Sequence, residues 1–342
     1  MEKIRFGNTD LFVTRAAFGG IPIQRLNFGD AVGVVRGCIN LGVNFIDTAN
    51  GYTDSEEKIG AAIKGMPRDG LVIATKSGAR DKKTFLEHVD LSLKRLGTDY
   101  IDIYQLHGLS ADAYEAVLDE DGAYAGLKVA IRAGKVRYPA FSAHNITGAI
   151  DVMKGGKFAA VQLPINYVDD EAAKEAIPLA KKLGVGFIAM KPFGGGLLSD
   201  AYLSIKYLMQ FDSVVPDPGI EKVSEMEEIV RIYASGARFT EEDAAAILKA
   251  KTEMGTYWCH RCDYCRPCPQ DIAISTALNI ESFIKRMPAG RVAKMAGRCF
   301  ENARTCTGCR ACVAKCPYDL DIPALLKERI KTWDRFIAEA QL

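Results

Sequence analysis

A surplus of charge of either sign is absent from this 342-residue sequence: 44 Lys and Arg stand against 43 Asp and Glu, a formal charge of +1. Without a field of one sign, neither nucleic acid nor an anionic membrane is an expected partner. Long apolar runs are missing too. No stretch reaches the ~18 residues that mark a membrane span, and the opening MEKIRFGNTD turns polar at once, so neither a span nor a secretory leader is expected. Cysteine is nearly missing from the first 258 residues, which hold only Cys38, while the other nine cysteines lie between Cys259 and Cys316. That distribution excludes a disulfide framework for the whole chain and marks a local thiol site. Low-complexity segments are lacking as well.

What is present is a repeated unit: a short apolar, β-branched run followed by a stretch of helical period, with Gly or Asp/Asn at the joints. Eight such runs occur, AAFGG, VNFIDTA, LVIATK, YIDIYQLH, VRYPAFSAH, AAVQLPIN, VGFIAMK and SVVPDPG. Strands alternating with helices imply a parallel sheet, and eight units close into a (β/α)8 TIM barrel more naturally than they form an open sheet. Asp30 is placed to cap VGVVRGCINL, and Asp54 with Glu57 has the spacing of a capping box before KIGAAIKG. Ahead of the first strand, IRFGNTDLFVT reads as a hairpin around Gly-Asn that would plug the barrel bottom. After Glu221 the chain turns helical in KVSEMEEIVRIYAS and TEEDAAAILKAKTEM, the second with Thr240 as cap. It ends in the amphipathic PALLKERIKTWDRFIAEA, with Pro323 near its first turn. The expected organisation is a barrel over 1–238, a linker helix over 239–256 and an α-helical and loop cysteine domain over 257–342.

The thiols fall into two strings. CHRCDYCRPCP carries Cys259, Cys262, Cys265 and Cys268, and CTGCRACVAKCP carries Cys306, Cys309, Cys312 and Cys316. The second resembles the Cys-x2-Cys-x2-Cys-x3-Cys-Pro run of bacterial two-cluster ferredoxins. The resemblance implies two 4Fe-4S clusters, each taking three cysteines of one string and the fourth of the other. Cys259, Cys262, Cys265 and Cys316 would then hold one cluster, and Cys306, Cys309, Cys312 and Cys268 the other. A zinc ribbon is the alternative, but it needs four ligands in two pairs, and two triplets each followed by Cys-Pro leave too many thiols. Cys38 and Cys299 fit neither string. Iron–sulfur chemistry points to a reducing cytoplasm.

Within the barrel, Asp47 and Tyr52 in FIDTANGY, Lys76 in IATK and His107 in YQLH sit at or just beyond the C-terminal ends of the second, third and fourth strands. Barrel enzymes place their chemistry at that face. Taken singly, each has a structural explanation: a cap, a half-buried ring, an extended lysine, a satisfied polar residue. Together, and in this order, they resemble the aldo-keto reductase tetrad. The likeness runs over 4–232 and includes AFSAHN, VQLPIN and MKPFGGG. With its cysteine tail the whole chain resembles the aldo-keto reductase branch fused to a ferredoxin-type 4Fe-4S domain.

That resemblance implies reduction of a carbonyl or related unsaturated small molecule. Tyr52 would be the general acid, Lys76 would favour its phenolate, Asp47 would hold Lys76, and His107 would orient the carbonyl oxygen. It also implies NADPH, with contacts from Ser142, Gln162, Phe193, Gly194 and Lys222. Ala143 stands where the family has Asn, Met190 where it has a stacking aromatic, and Lys191 where it has a small polar residue. His144 lies at a strand end near these positions.

Electron counting separates three readings. Nicotinamide passes two electrons as a hydride and a 4Fe-4S cluster passes one, so coupling them directly needs a mediator such as a flavin, for which no motif is present. The leading reading uses the clusters as an electron conduit, supplied by a ferredoxin or another electron-transfer protein. A second is an electron-transfer module with an idle barrel site, and a third is an ordinary NADPH-dependent reductase with structural clusters. His260, Arg261, Arg266 and Arg310 flank the thiols and would suit an acidic ferredoxin.

Overall fold

Eight short runs pair side by side in chain order in the computed structural model, which describes residues 1–254 and 257–342. They are β3 (Phe18–Gly19), β4 (Phe45–Asp47), β5 (Val72–Ser77), β6 (Ile101–Leu106), β7 (Val136–Ser142), β8 (Ala160–Pro164), β9 (Gly186–Met190) and β10 (Val214–Asp217). Every neighbouring pair is parallel. The ring is completed where Ala17 and Gly19 donate backbone hydrogen bonds to the Pro216 and Pro218 carbonyls, at 2.8 and 2.9 Å. All eight expected strands are there, trimmed at their ends, and they form the expected barrel.

The hairpin forms from β1 (Lys3–Arg5) and β2 (Phe12–Thr14), antiparallel. Phe6, Leu11 and Val13 are buried against Phe45 and Val72, which begin β4 and β5, so the hairpin stoppers the end where strands start. Its turn needs glycine: Gly7 has φ +55°, and a Cβ there would lie 2.5 Å from the Gly186 nitrogen.

Helix starts differ from expectation in two places. The first barrel helix spans Phe28–Asn40, and its cap is Asn27, whose side chain accepts from the Asp30 nitrogen at 2.9 Å. Asp30 therefore lies inside the first turn, where a negative charge complements the helix dipole. Asp54 precedes the helix Ser55–Ile63 without capping it; its carboxylate pairs with Lys58 at 2.9 Å, while Glu57 pairs with Arg95 at 2.8 Å.

The chain divides into two compact units, 1–194 with 198–240, and 195–197 with 241–342. In the second unit the helices are Glu241–Met254, Ile274–Leu278, Ile280–Arg286, Ala289–Ala303 and Ile322–Glu339. Phe300 and Trp333 stack face to face at 4.6 Å between the last two. The boundary expected at 256/257 lies outside the described residues. Among the described residues no helix is long and apolar enough to cross a membrane.

Candidate active site and thiol cavities

The C-terminal ends of the barrel strands carry polar side chains into a buried interior. Asp47 closes β4 and Lys76 stands near the end of β5, each only 2% exposed. The Lys76 ammonium donates to Asp47 Oδ2 and, at 2.7 Å, to the Thr48 carbonyl. Gln105 on β6 donates to Asp47 Oδ1 at 3.2 Å. Gln162 on β8 directs its amide nitrogen at two carboxylates, Asp217 Oδ2 at 2.8 Å and Asp47 Oδ2 at 3.4 Å. Burial by itself would lower the lysine's proton affinity, but the charges of Asp47, Tyr52 and Asp217 outweigh it and hold Lys76 above the ordinary lysine range.

Tyr52 hangs over this layer from the turn after β4, where its backbone nitrogen donates to the Ala49 carbonyl at 2.9 Å. Lys76 Nζ lies 5.4 Å from the centre of its ring. The His107 imidazole, just beyond β6, meets the same ring edge-on, with centroids 6.0 Å apart. Arg80 fixes the His107 turn by donating to the His107 and Gly108 carbonyls at 2.8 and 3.0 Å. Tyr52 and His107 are both partly exposed. Asp47, Tyr52, Lys76 and His107 thus converge at one rim.

The cysteines gather into two sets. Cys259, Cys262, Cys265 and Cys316 line one cavity, and Cys268, Cys306, Cys309 and Cys312 line another. Each set takes three thiols from one string and the fourth from the other. Eight sulfur donors around two small cavities fit a pair of multinuclear iron–sulfur groups better than zinc. Burial, then Asp263 and the neighbouring thiols, push Cys265 up to about 12, so ligation there releases a proton. His260 stacks on Tyr318 at 3.7 Å beside the first cavity. Of the flanking basic residues, Arg261 lies over the Phe283 ring and Arg310 pairs with Asp321 at 3.2 Å.

Comparison with known proteins gives the same division. Residues 15–246 match the Aldo/keto reductase family. The chain belongs to that family. Residues 258–321 match the 4Fe-4S dicluster domain, so this reductase carries an iron–sulfur domain at its C-terminal side. It is 31% identical over 220 residues to L-galactose dehydrogenase of Arabidopsis thaliana, covering 58% of this chain and 68% of the plant protein. It is 29% identical over 230 residues to the NADH-specific methylglyoxal reductase of Escherichia coli, covering 58% and 69%. Among solved structures, the holo form of an aldo-keto reductase from Bacillus halodurans superposes with a TM-score of 0.63 at 24% identity, over 73% of this chain and 96% of that one, and shares the fold.

Set against this family, the expected nicotinamide contacts separate into two groups. Ser142 Oγ, at the end of β7, accepts from the Gly108 nitrogen at 2.9 Å and keeps its hydroxyl proton to donate. Gln162 Oε1 is buried without a hydrogen-bond partner among the described residues, an acceptor suited to a carboxamide NH2. These two fit the carboxamide end of a nicotinamide. Lys222 is exposed at the start of the helix Val223–Ala234, where its backbone nitrogen donates to Glu225 Oε2 at 3.0 Å. Phe193 is partly exposed, Gly194 is buried with φ +56°, and His144 is exposed. Sequence reasoning missed Gln105 and Asp217. Their signal was a polar side chain inside a run otherwise built to be buried on both faces.

Proposed function

We propose that this reductase converts a carbonyl, or a related unsaturated small molecule, at the C-terminal rim of its barrel, with Tyr52 as general acid and cysteine-bound iron–sulfur clusters as the route by which electrons arrive. The observation that supports it is the convergence of Tyr52 and His107 over the buried Asp47–Lys76 pair. For a carbonyl the balance is an aldehyde or ketone plus two electrons, arriving one at a time, and two protons giving the alcohol, the proton on oxygen coming from Tyr52 and the one on carbon from solvent. His107 orients the carbonyl oxygen, and Tyr52 delivers a proton to it as negative charge develops there. The ammonium of Lys76, fixed by Asp47 and the Thr48 carbonyl, stabilises the phenolate that Tyr52 becomes until it takes a new proton from solvent.

Ser142 and Gln162 would hold the carboxamide of a nicotinamide, which when bound supplies a hydride. Cys259, Cys262, Cys265 and Cys316 would hold one 4Fe-4S cluster, and Cys268, Cys306, Cys309 and Cys312 the second; such clusters supply single electrons. In this reading 1–238 is the catalytic barrel, 239–256 a linker helix and 257–342 the electron-carrying domain. Its partner is a ferredoxin or another low-potential electron-transfer protein in a reducing cytoplasm. The orphaned Gln162 oxygen favours a second reading, an NADPH-dependent reductase whose clusters are structural.

The test is anaerobic purification of the full chain with analysis of iron, flavin and bound dinucleotide, then challenge with NADPH and with a reduced low-potential donor. Substrate-dependent oxidation of the low-potential donor supports the conduit. Oxidation of NADPH alone, unaffected by the redox state of the iron, supports the second reading. Oxidation of neither defeats both and leaves an electron-transfer protein with an idle barrel.

A further inference from the structure

Beneath Tyr52 the barrel buries two carboxylates against one ammonium. Asp217 ends β10 and is 8% exposed. Lys76 directs its hydrogen bonds to Asp47 and the Thr48 carbonyl, so among the described residues Asp217 is served by a single side-chain donor, the Gln162 amide at 2.8 Å. Its other oxygen, Oδ1, has no hydrogen-bond partner among the described residues, and neither do Gln105 Oε1 and Gln162 Oε1 beside it. Asp217 Oδ1 is pressed so close to the wall that a Cβ at Gly19 would stand 2.9 Å from it.

Two ionised carboxylates with one ammonium would leave net negative charge out of water, and Asp217 Oδ1 would still lack a proton. A single added proton relieves both conditions. The unequal sharing of donors places it on Asp217: Asp47 receives Lys76, Gln105 and Gln162, whereas Asp217 receives Gln162 alone.

We propose that Asp217 is a positioning residue of this site: it keeps a proton inside the barrel, leaves the Asp47–Lys76 pair electrically balanced, and through that pair sets the charge that Tyr52 feels. Burial and the charge of Asp47 drive its carboxyl well above the usual carboxylate range, and the opposing pull of Lys76 and Gln162 is smaller. The ionisable groups that face it are Asp47 from β4 and Lys76 from β5, with Tyr52 facing Lys76 in turn. Below its raised titration Asp217 is neutral. As pH climbs through that range it ionises, and the added negative charge strengthens the hold of Lys76 and Tyr52 on their protons. Tyr52 then gives up its proton less readily, and turnover falls. The same proton is linked to stability: folded Asp217 binds it more tightly than the unfolded chain does, so its stabilisation is complete below the unfolded carboxylate value and is lost as pH rises through the raised one.

The kinetic consequence rests on Tyr52 acting as the acid; the proton on Asp217 does not. Infrared difference spectra of the full chain should show the carbonyl stretch of a protonated carboxylic acid at neutral pH, and Asp217→Asn should remove it. In the same variant the alkaline limb of kcat/KM should move up by about one pH unit or more, and its melting temperature should gain on wild type as pH rises. Should Asp217→Asn not fold, aspartate-specific carbon-13 labelling of the wild type makes the assignment, since the band shifts with the label. Absence of an aspartic acid band at neutral pH overturns the proposal, and so does a band accompanied by an unmoved alkaline limb. If wild type turns over no carbonyl substrate but the band is present, the proposed reaction fails and the proton on Asp217 stands.

Discussion

The barrel site and the thiol cavities are built by opposite means. Asp47 and Lys76 stand on strands, only 2% exposed, and each is held by neighbours on other strands. The eight clustered cysteines sit in loops and turns. Cys309 is exposed, and the segments around the thiols hold Arg261, Asp263, Asp271, Arg310 and Asp319 at positive φ, a conformation that residues other than glycine rarely adopt. In the first region the polypeptide makes the geometry and a ligand finds it ready. In the second, the chain brings the thiols into two groups, and the inorganic group they are suited to would fix them there.

Iron removal tests this contrast most strongly. Stripping iron anaerobically with a chelator should abolish amide-exchange protection across 257–321 while β3 to β10 keep theirs; thiol turns that stay protected without iron would erase the distinction. Lys76→Met comes next. It leaves Asp47 buried without its ammonium and should cost the barrel about 3–5 kcal/mol of stability with iron content unchanged, as read by denaturant unfolding and iron assay. Tyr52→Phe should lower carbonyl turnover by about 10²–10⁴-fold and leave both iron and melting temperature as they were; retained turnover removes Tyr52 from the acid role. The smallest effect is expected at Asn145, which caps the helix Ile146–Lys154 by accepting from the Gly148 nitrogen at 2.7 Å. Asn145→Ala should cost about 1 kcal/mol, visible in unfolding and invisible in the iron–sulfur spectrum.

The barrel was legible because each strand is an apolar, β-branched run set between Gly, Asp or Asn, and because eight of them alternate with helical stretches. Helix starts were less so. Asn27 and Asp30 are both capping residues, and Phe28 between them is half exposed, so the apolar period gives no sign that the helix begins before Gly29. The four rim residues could be read from their places at strand ends. Asp217 was passed over although it is a polar residue in a buried run, because Pro216 and Pro218 make VVPDPG look like a turn closing a strand; the closed sheet brings its carboxylate within electrostatic reach of Asp47. The grouping of the thiols came with the resemblance of the two strings to two-cluster ferredoxins, which implies that each fourth cysteine joins the other string's triplet.

The stopper formed by Phe6, Leu11 and Val13 closes the barrel at the end where its strands start. A guest bound above Lys76 would then enter and leave at the rim where Tyr52 and His107 stand. If two molecules share that chamber, the deeper one has to arrive first and cannot escape until the shallower one has gone. A queue of that kind is imposed by architecture, and it would hold for any pair of guests, whatever their chemistry.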